Sequence, residues 1–252
     1  MGEGVGGAEV SGIVQVAVLG PVEVLSDTGQ LVAVGGPKER GVLAWLACSA
    51  NRPVSMASLV DVVWGDDPPP TAVKTLQGYV SRLRGVLGAG ASIERAGVGY
   101  KLVIDPAAVD VACFEAGVAQ ARAAAAAGDH ATAAEGFTAA LGLWRGDPLA
   151  ELAGSPDADV RIVNLVALRA AAVQERFAAL LAAGGGAELV ADLEAAVAAD
   201  PFAEGLWAAL MVALYRAGRQ ADALDTYQRA RTRLVDDLGL EPGDQLRTIE
   251  AK

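Results

Sequence analysis

Residues 13–36, IVQVAVLGPVEVLSDTGQLVAVGG, alternate apolar and polar positions and are broken at Gly20-Pro21 and at Asp27-Thr28-Gly29. Period-two alternation between turn residues predicts a meander of three short strands. The period then changes. Pro37 opens PKERGVLAWLACSA, predicted as a helix through about Ala50, with proline suited to a first turn and Leu43, Leu46 and Ala47 at i, i+3 and i+4. MASLVDVVWG (56–65) predicts a second, short helix, and DDPPP a stiff break. A third helix is predicted from a cap at Thr71 to about Leu87, and SIERAGVGYKLVI closes the unit as a hairpin turning at Gly97-Val98-Gly99.

On a wheel at 100° per residue, Val73, Leu76, Val80, Leu83 and Leu87 of the third helix fall in one arc and predict its buried seam. Opposite them lie Thr71, Lys74, Thr75, Gly78, Ser81 and Arg82, a face without a carboxylate, and Arg84 projects to the flank. In a major groove about 12 Å wide such a helix can lay Lys74, Thr75, Ser81 and Arg82 along base edges and phosphates. Arg95 and Lys101 on the hairpin would reach an adjacent groove or backbone. A solvated face explains a few exposed cations equally well; the order of elements, the two-glycine hairpin and the absence of acid favour DNA. On that reading Arg82→Ala removes specific binding without unfolding the domain.

From residue 111 the pattern is helical, and it repeats. AGDHATAAEGFTAAL (127–141), AGGGAELVADLEAAV (183–197) and AGRQADALDTYQRAR (217–231) share an Ala-Gly start. They also share alanine at Ala131, Ala187 and Ala221, a large apolar residue at Phe137, Leu193 and Tyr227, and alanine at Ala140, Ala196 and Ala230. Gly184 to Gly218 is 34 residues, the tetratricopeptide period. Gly128 to Gly184 is 56, so WRGDPLAELAGSPDAD and a longer helix intervene. Such a domain serves as a concave partner surface or as a stabilising platform. The fold class is therefore α+β, a winged helix-turn-helix domain at 13–105, followed by an all-α tetratricopeptide-like helical-repeat domain at 106–252, with 1–12 a flexible glycine-rich tail.

Charge changes this picture little. The chain carries −11 overall, but residues 1–105 carry −2 and residues 106–252 carry −9, so the acidity does not sit on the candidate DNA face. A mean hydropathy of +0.35 suits a packed chain. The longest uncharged run, residues 10–22, has thirteen residues against the roughly 20 a spanning helix needs. The amino terminus lacks the basic region of a signal peptide, and the chain is expected to be cytoplasmic, away from membranes. Cys48 and Cys113 are expected as buried thiols, and the single histidine, His130, as a surface cap between repeat helices. No phosphate loop, metal-ligand set or catalytic constellation is evident, and neither a cofactor nor an enzymatic activity is expected.

Taken together, VLGPVEV, GGPKERGVLAWL, LVDVVWGDDPPPTAVKTLQGYVSRLR, GVGYKL, AALGLWRGDPL, ALYRAGRQADAL and LVDDLGLEPGDQL resemble the SARP family, the antibiotic regulatory proteins of actinomycetes, over roughly residues 13–250. YVSRLR with GxGYxL is typical of OmpR-type winged helices, whereas LWRG…L and DDLGLEP point to the bacterial transcriptional activation domain. The resemblance implies a transcription factor, usually an activator. It would bind direct repeats in double-stranded promoter DNA and recruit RNA polymerase through its sigma factor or another subunit; whether it forms a homodimer by itself or only on tandem sites stays open. By matched position it implies helix contacts from Arg82, Arg84 and Lys74 and a wing contact from Arg95. Gly78 stands where a larger polar residue is expected and Gly85 where a third basic residue is common, which implies weaker or differently specified binding. Two other readings stay open: a repeat scaffold whose winged helix no longer binds DNA, and a DNA module held latent by a carboxy-terminal sensor domain outside this sequence.

Overall fold

A computed structural model of the chain describes residues 15–26, 28–88 and 90–250. The tail assigned to 1–12, the first two residues of the predicted meander, Asp27 of its second turn and residues 251–252 lie outside the described residues. The chain divides into two compact units: one takes in the chain up to Ala116 together with Gly142–Ala167, the other Gly117–Leu141 with Leu168–Lys252.

The first unit opens with an antiparallel meander of β1 (Gln15–Ala17), β2 (Glu23–Leu25) and β3 (Leu31–Val32). Val16 pairs with Val24, and Val24 with Val32, so the alternation directs Val16 and Val24 into the core. Next comes α1 (Pro37–Cys48), with Pro37 in its first turn and Val42, Leu43, Leu46 and Ala47 buried. The sequence pattern gave no strand between the first two helices, yet β4 (Val54–Ser55) lies there; two residues are too few to show a period. Ser55 then caps α2 (Met56–Trp64), its hydroxyl accepting the Ser58 N–H at 3.0 Å.

After α3 (Ala72–Val86), strands β5 (Ala91–Ala96) and β6 (Gly99–Ile104) form the hairpin, in a sheet of order β4-β6-β5. The turn is tighter than the three residues expected. Gly97, at φ +56°, and Val98 make it alone, and Gly99 already pairs with Ser55. At Gly99 a side chain is excluded sterically, because a Cβ would overlap the Val54 carbonyl oxygen.

The segment between the first two sequence repeats is built into this first unit. Asp110, at the start of α4 (Asp110–Ala126), accepts the N–H groups of Val18 and Leu19 at 2.8 and 2.9 Å. Burial pushes its pKa up, against the pull of those bonds and of Arg145. The Arg145 N–H reaches the Leu19 carbonyl at 2.7 Å, and the Leu149 N–H reaches that of Val18 at 3.2 Å. Arg40 pairs with Glu151 at 2.9 Å, and Leu152 packs where a Cβ on Gly41 would stand.

The second unit holds α5 (His130–Leu141), the later turns of α6 (Pro156–Ala182), α7 (Val190–Ala199), α8 (Glu204–Arg216), α9 (Gln220–Leu238) and α10 (Asp244–Glu250). The recurring Ala-Gly is a helix stop. Gly128, Gly184 and Gly218 have φ of +82°, +103° and +73°. After each, the next N–H turns back to a carbonyl five residues earlier, Asp129 to Ala124, Gly185 to Leu180 and Arg219 to Leu214. That is a left-handed glycine cap used three times. Phe137, Leu193 and Tyr227 are buried, as the repeat register requires. The cap at the start of α5 is Asp129, which accepts the Thr132 N–H at 3.1 Å, and not His130, the first residue of the helix.

Cys48 and Cys113 are free thiols, each half-buried where burial had been expected. Desolvation pushes the Cys48 pKa from 9.0 up to about 11, against the pull of Arg161.

Two outcomes follow from this packing. Gly99→Ala lowers the unfolding free energy by about 1–3 kcal/mol in a urea melt, the usual cost of overpacking. The folded state favours the protonated Cys48 thiol, so the stability it contributes is complete below pH 9.0 and is lost as pH rises to about 11. Melts of wild type and Cys48→Ala over that window should converge on a shallower slope for the variant.

Candidate nucleic-acid interface

Helix α3 buries Ala72, Leu76, Val80 and Leu83, and Leu87 follows just beyond its end. Val73 does not belong to this seam: it is 48% exposed. It lies at the edge of the apolar arc, where one step of 100° decides between core and solvent. Thr71 holds the N-cap position as expected, its carbonyl accepting the Thr75 N–H at 2.8 Å, but its side chain makes no capping bond.

Lys74 and Ser81 point outward, Thr75 and Gly78 are half-buried beside them, and Lys74 has no ion-pair partner among the described residues. Arg82 is engaged. Its Nε and Nη2 donate to Glu39 Oε2 at 2.9 and 2.8 Å, and its guanidinium lies over the Tyr79 ring, 5.2 Å from the centroid. The hydrogen bond to Glu39 pushes the Arg82 pKa further up.

Arg84 leans the other way. Its Nε donates to the Ile93 carbonyl at 2.7 Å, and its guanidinium sits 5.8 Å from the Tyr100 ring centroid, bracing α3 against the wing. On the wing Arg95 is exposed opposite Tyr100, whereas Lys101 faces its cross-strand neighbour Glu94 at 3.7 Å. Val98 at the wing tip is 82% exposed. The structure thus gathers Thr71, Lys74, Thr75, Ser81 and Arg82 on one helix, ties Arg84 to the hairpin, and places Arg95 and Lys101 on its two strands.

Sequence reasoning missed the support under this face. Glu39 lies three and four residues before the buried Val42 and Leu43, so its inward position was legible from the period. Its partner, 43 residues away, was not. Trp64 stacks on Tyr79 with centroids 6.2 Å apart and an interplanar angle of 9°, and Lys38 Nζ covers Trp64 at 5.0 Å. Among the described residues no cluster could hold a metal ion, and no helix is long and apolar enough to cross a membrane. In the second unit a cleft of about 570 Å³ is lined by Met211, Tyr215, Gln220, Ala223 and Leu224, with Tyr215 and Leu224 largely exposed.

An outward third helix, held by two helices and braced by a hairpin, defines the winged helix-turn-helix class, here combined with helical repeats. Residues 32–102 match the family model described as "Transcriptional regulatory protein, C terminal", and residues 109–252 match the bacterial transcriptional activator domain. The chain belongs to the SARP family of bacterial transcriptional regulators.

The transcriptional regulator RedD of Streptomyces coelicolor is 39% identical over 96% of this chain and 70% of its own length. The regulatory protein AfsR of Streptomyces griseus is 37% identical over 93% of this chain, but the match spans 24% of that relative. The solved structure of Mycobacterium tuberculosis EmbR in complex with a low-affinity phosphopeptide superposes with a TM-score of 0.88 at 36% identity, covering 94% of this chain and 64% of that one. This chain therefore spans a quarter of AfsR and about two thirds of EmbR.

The glycines of α3 allow a direct check of the helix assignment. A Cβ at Gly85 would meet nothing within 4 Å. Gly85→Ala should therefore stabilise the first unit by about 0.5–1 kcal/mol, the helix cost of glycine, measured by urea unfolding.

Proposed function

We propose that the chain is a sequence-specific, DNA-binding transcriptional regulator that lays α3 in the major groove of promoter DNA, with the wing on the neighbouring backbone. The observation that carries this reading is the outward face of α3. It has no carboxylate, it carries the unpaired Lys74, and it is flanked by Arg82 and Arg84 held in fixed directions. Lys74, Thr75 and Arg82 are assigned to the groove, and Thr71, Ser81, Arg84, Arg95 and Lys101 to backbone or wing contacts. The relatives are named transcriptional regulators and residues 109–252 match an activator domain, which supports the regulatory reading; the proposal extends it to activation from direct repeats, recruitment of RNA polymerase and a place in the cytoplasm, where bacterial DNA lies. The helical repeats are assigned the protein-facing part of this work.

The pairing of Lys101 with Glu94 and of Arg82 with Glu39 lowers the number of free cations. This favours modest electrostatic binding, and it is the observation on which the scaffold reading rests. Counting Lys74 and Arg95 as the phosphate-neutralising groups, the log–log salt slope is about −2 per protomer on duplex DNA.

Selection of bound duplexes from a random library should enrich a direct-repeat motif. Lys74→Ala should fold normally, bind the selected duplex more weakly and lose about 0.9 from the slope. Absence of any enriched motif with folded wild-type chain would move the function to a protein scaffold.

A further inference from the structure

We propose that Glu39 is the positioning residue that sets base specificity: its buried carboxylate holds the Arg82 guanidinium side-on, so that the end of the group faces the DNA. The inference rests on the DNA-reading function above and names the group that governs its selectivity. Both Arg82 bonds end on one oxygen, Oε2 of Glu39. Nε–H and one N–H of Nη2 form the side edge of a guanidinium, so this pairing leaves both hydrogens of Nη1 and the second hydrogen of Nη2 free.

At that free end, Nη1 lies 3.8 Å from the position a Cβ on Gly78, a residue of the outward face, would take. The anchor is enclosed and the arginine is open: the Glu39 side chain is 4% exposed and that of Arg82 58%. Gly35 makes the enclosure feasible, since a Cβ there would run into the carboxylate. The Tyr79 ring, 5.2 Å from the guanidinium carbon, gives the group a second contact.

Two adjacent N–H groups at the end of a planar guanidinium match O6 and N7 of guanine. A freely swinging arginine would take a phosphate instead, which gives affinity without sequence. The buried anion withholds Arg82 from that choice and gives it a single direction. Arg82→Ala removes the partner of a buried carboxylate as well as the reader, so it mixes folding with recognition. Glu39→Gln and Arg82→Lys separate the two.

The test uses the full chain and the duplex selected by wild type, together with copies in which each G·C pair in turn becomes A·T, titrated over a salt series. In Glu39→Gln, discrimination at one G·C position should fall about tenfold. Affinity for an unrelated duplex should hold or rise, and the salt slope should steepen by about 0.9 as the released Arg82 takes a phosphate. Arg82→Lys should lose the same discrimination with Glu39 in place. A purely structural Glu39 would lower the melting temperature and leave discrimination and slope unchanged, which overturns the proposal.

If Arg82→Lys also discriminates like wild type, Arg82 is not a base reader and the α3 assignments above fail with it. If no motif is selected by wild type, the regulator reading falls. The Arg82 Nε–H resonance of the free wild-type chain needs neither DNA nor a variant. Slow solvent exchange supports the clamp, and exchange as fast as in a solvated arginine overturns it.

Discussion

The burial of one stripe of α3 against α1 is the constraint from which the interface follows. Leu76, Val80 and Leu83 are solvent-free at their three- and four-residue spacing, and once they face the core the rest of the helix has no rotational choice. Lys74 and Ser81 must then point outward, and Arg82 and Arg84 must fall on opposite flanks. Each flank has its own partner, a buried carboxylate on α1 for Arg82 and a backbone carbonyl on β5 for Arg84. The charged face is thus a by-product of hydrophobic packing, and its fixed directions are a by-product of two long-range hydrogen bonds.

Those directions also explain how an acidic chain can present a cationic face on α3. The carboxylate that Arg82 contacts, Glu39, is removed from solvent, so it acts on Arg82 at contact distance and little on an approaching polyanion. The aromatic pair Trp64 and Tyr79 extends the same principle, with cations laid over ring faces at both ends, Lys38 at one and Arg82 at the other. Apolar and aromatic neighbours keep these charges in place without adding acid to the outward face.

The parts of the fold carried by a local period were legible in the sequence: the meander, the three helices, the hairpin and the repeat register with Phe137, Leu193 and Tyr227 inward. Three kinds of feature were not. Val73 sits at the edge of an arc, where periodicity does not discriminate. Strand β4 is two residues long and exists because β6 offers it a partner. Glu39 with Arg82, and Arg145 with Leu19, are pairings across tens of residues, and no local pattern reports a partner. The Ala-Gly repeat was visible as a spelling, but its meaning as a left-handed helix stop lies in the backbone angles. The candidate residues lie on the expected helix and hairpin; what the sequence withheld was which of their donors are already occupied.

The return of residues 142–167 to the first unit has a consequence for how the chain comes into being. Val18 and Leu19 emerge from the ribosome early, yet the groups that complete their hydrogen bonding, the backbone N–H groups of Leu149 and Arg145, are made more than a hundred residues later. At elongation rates of about 5–20 residues per second that interval lasts from several seconds to nearly half a minute. For that time the carbonyls of Val18 and Leu19 lack these partners although the strands of the meander are finished. Helix α3 and its wing can assemble sooner, because α1, α2, α3 and the hairpin are contiguous. The first unit is therefore completed from the far end of its own sequence, and the outward face of α3 precedes the closure of the unit that carries it.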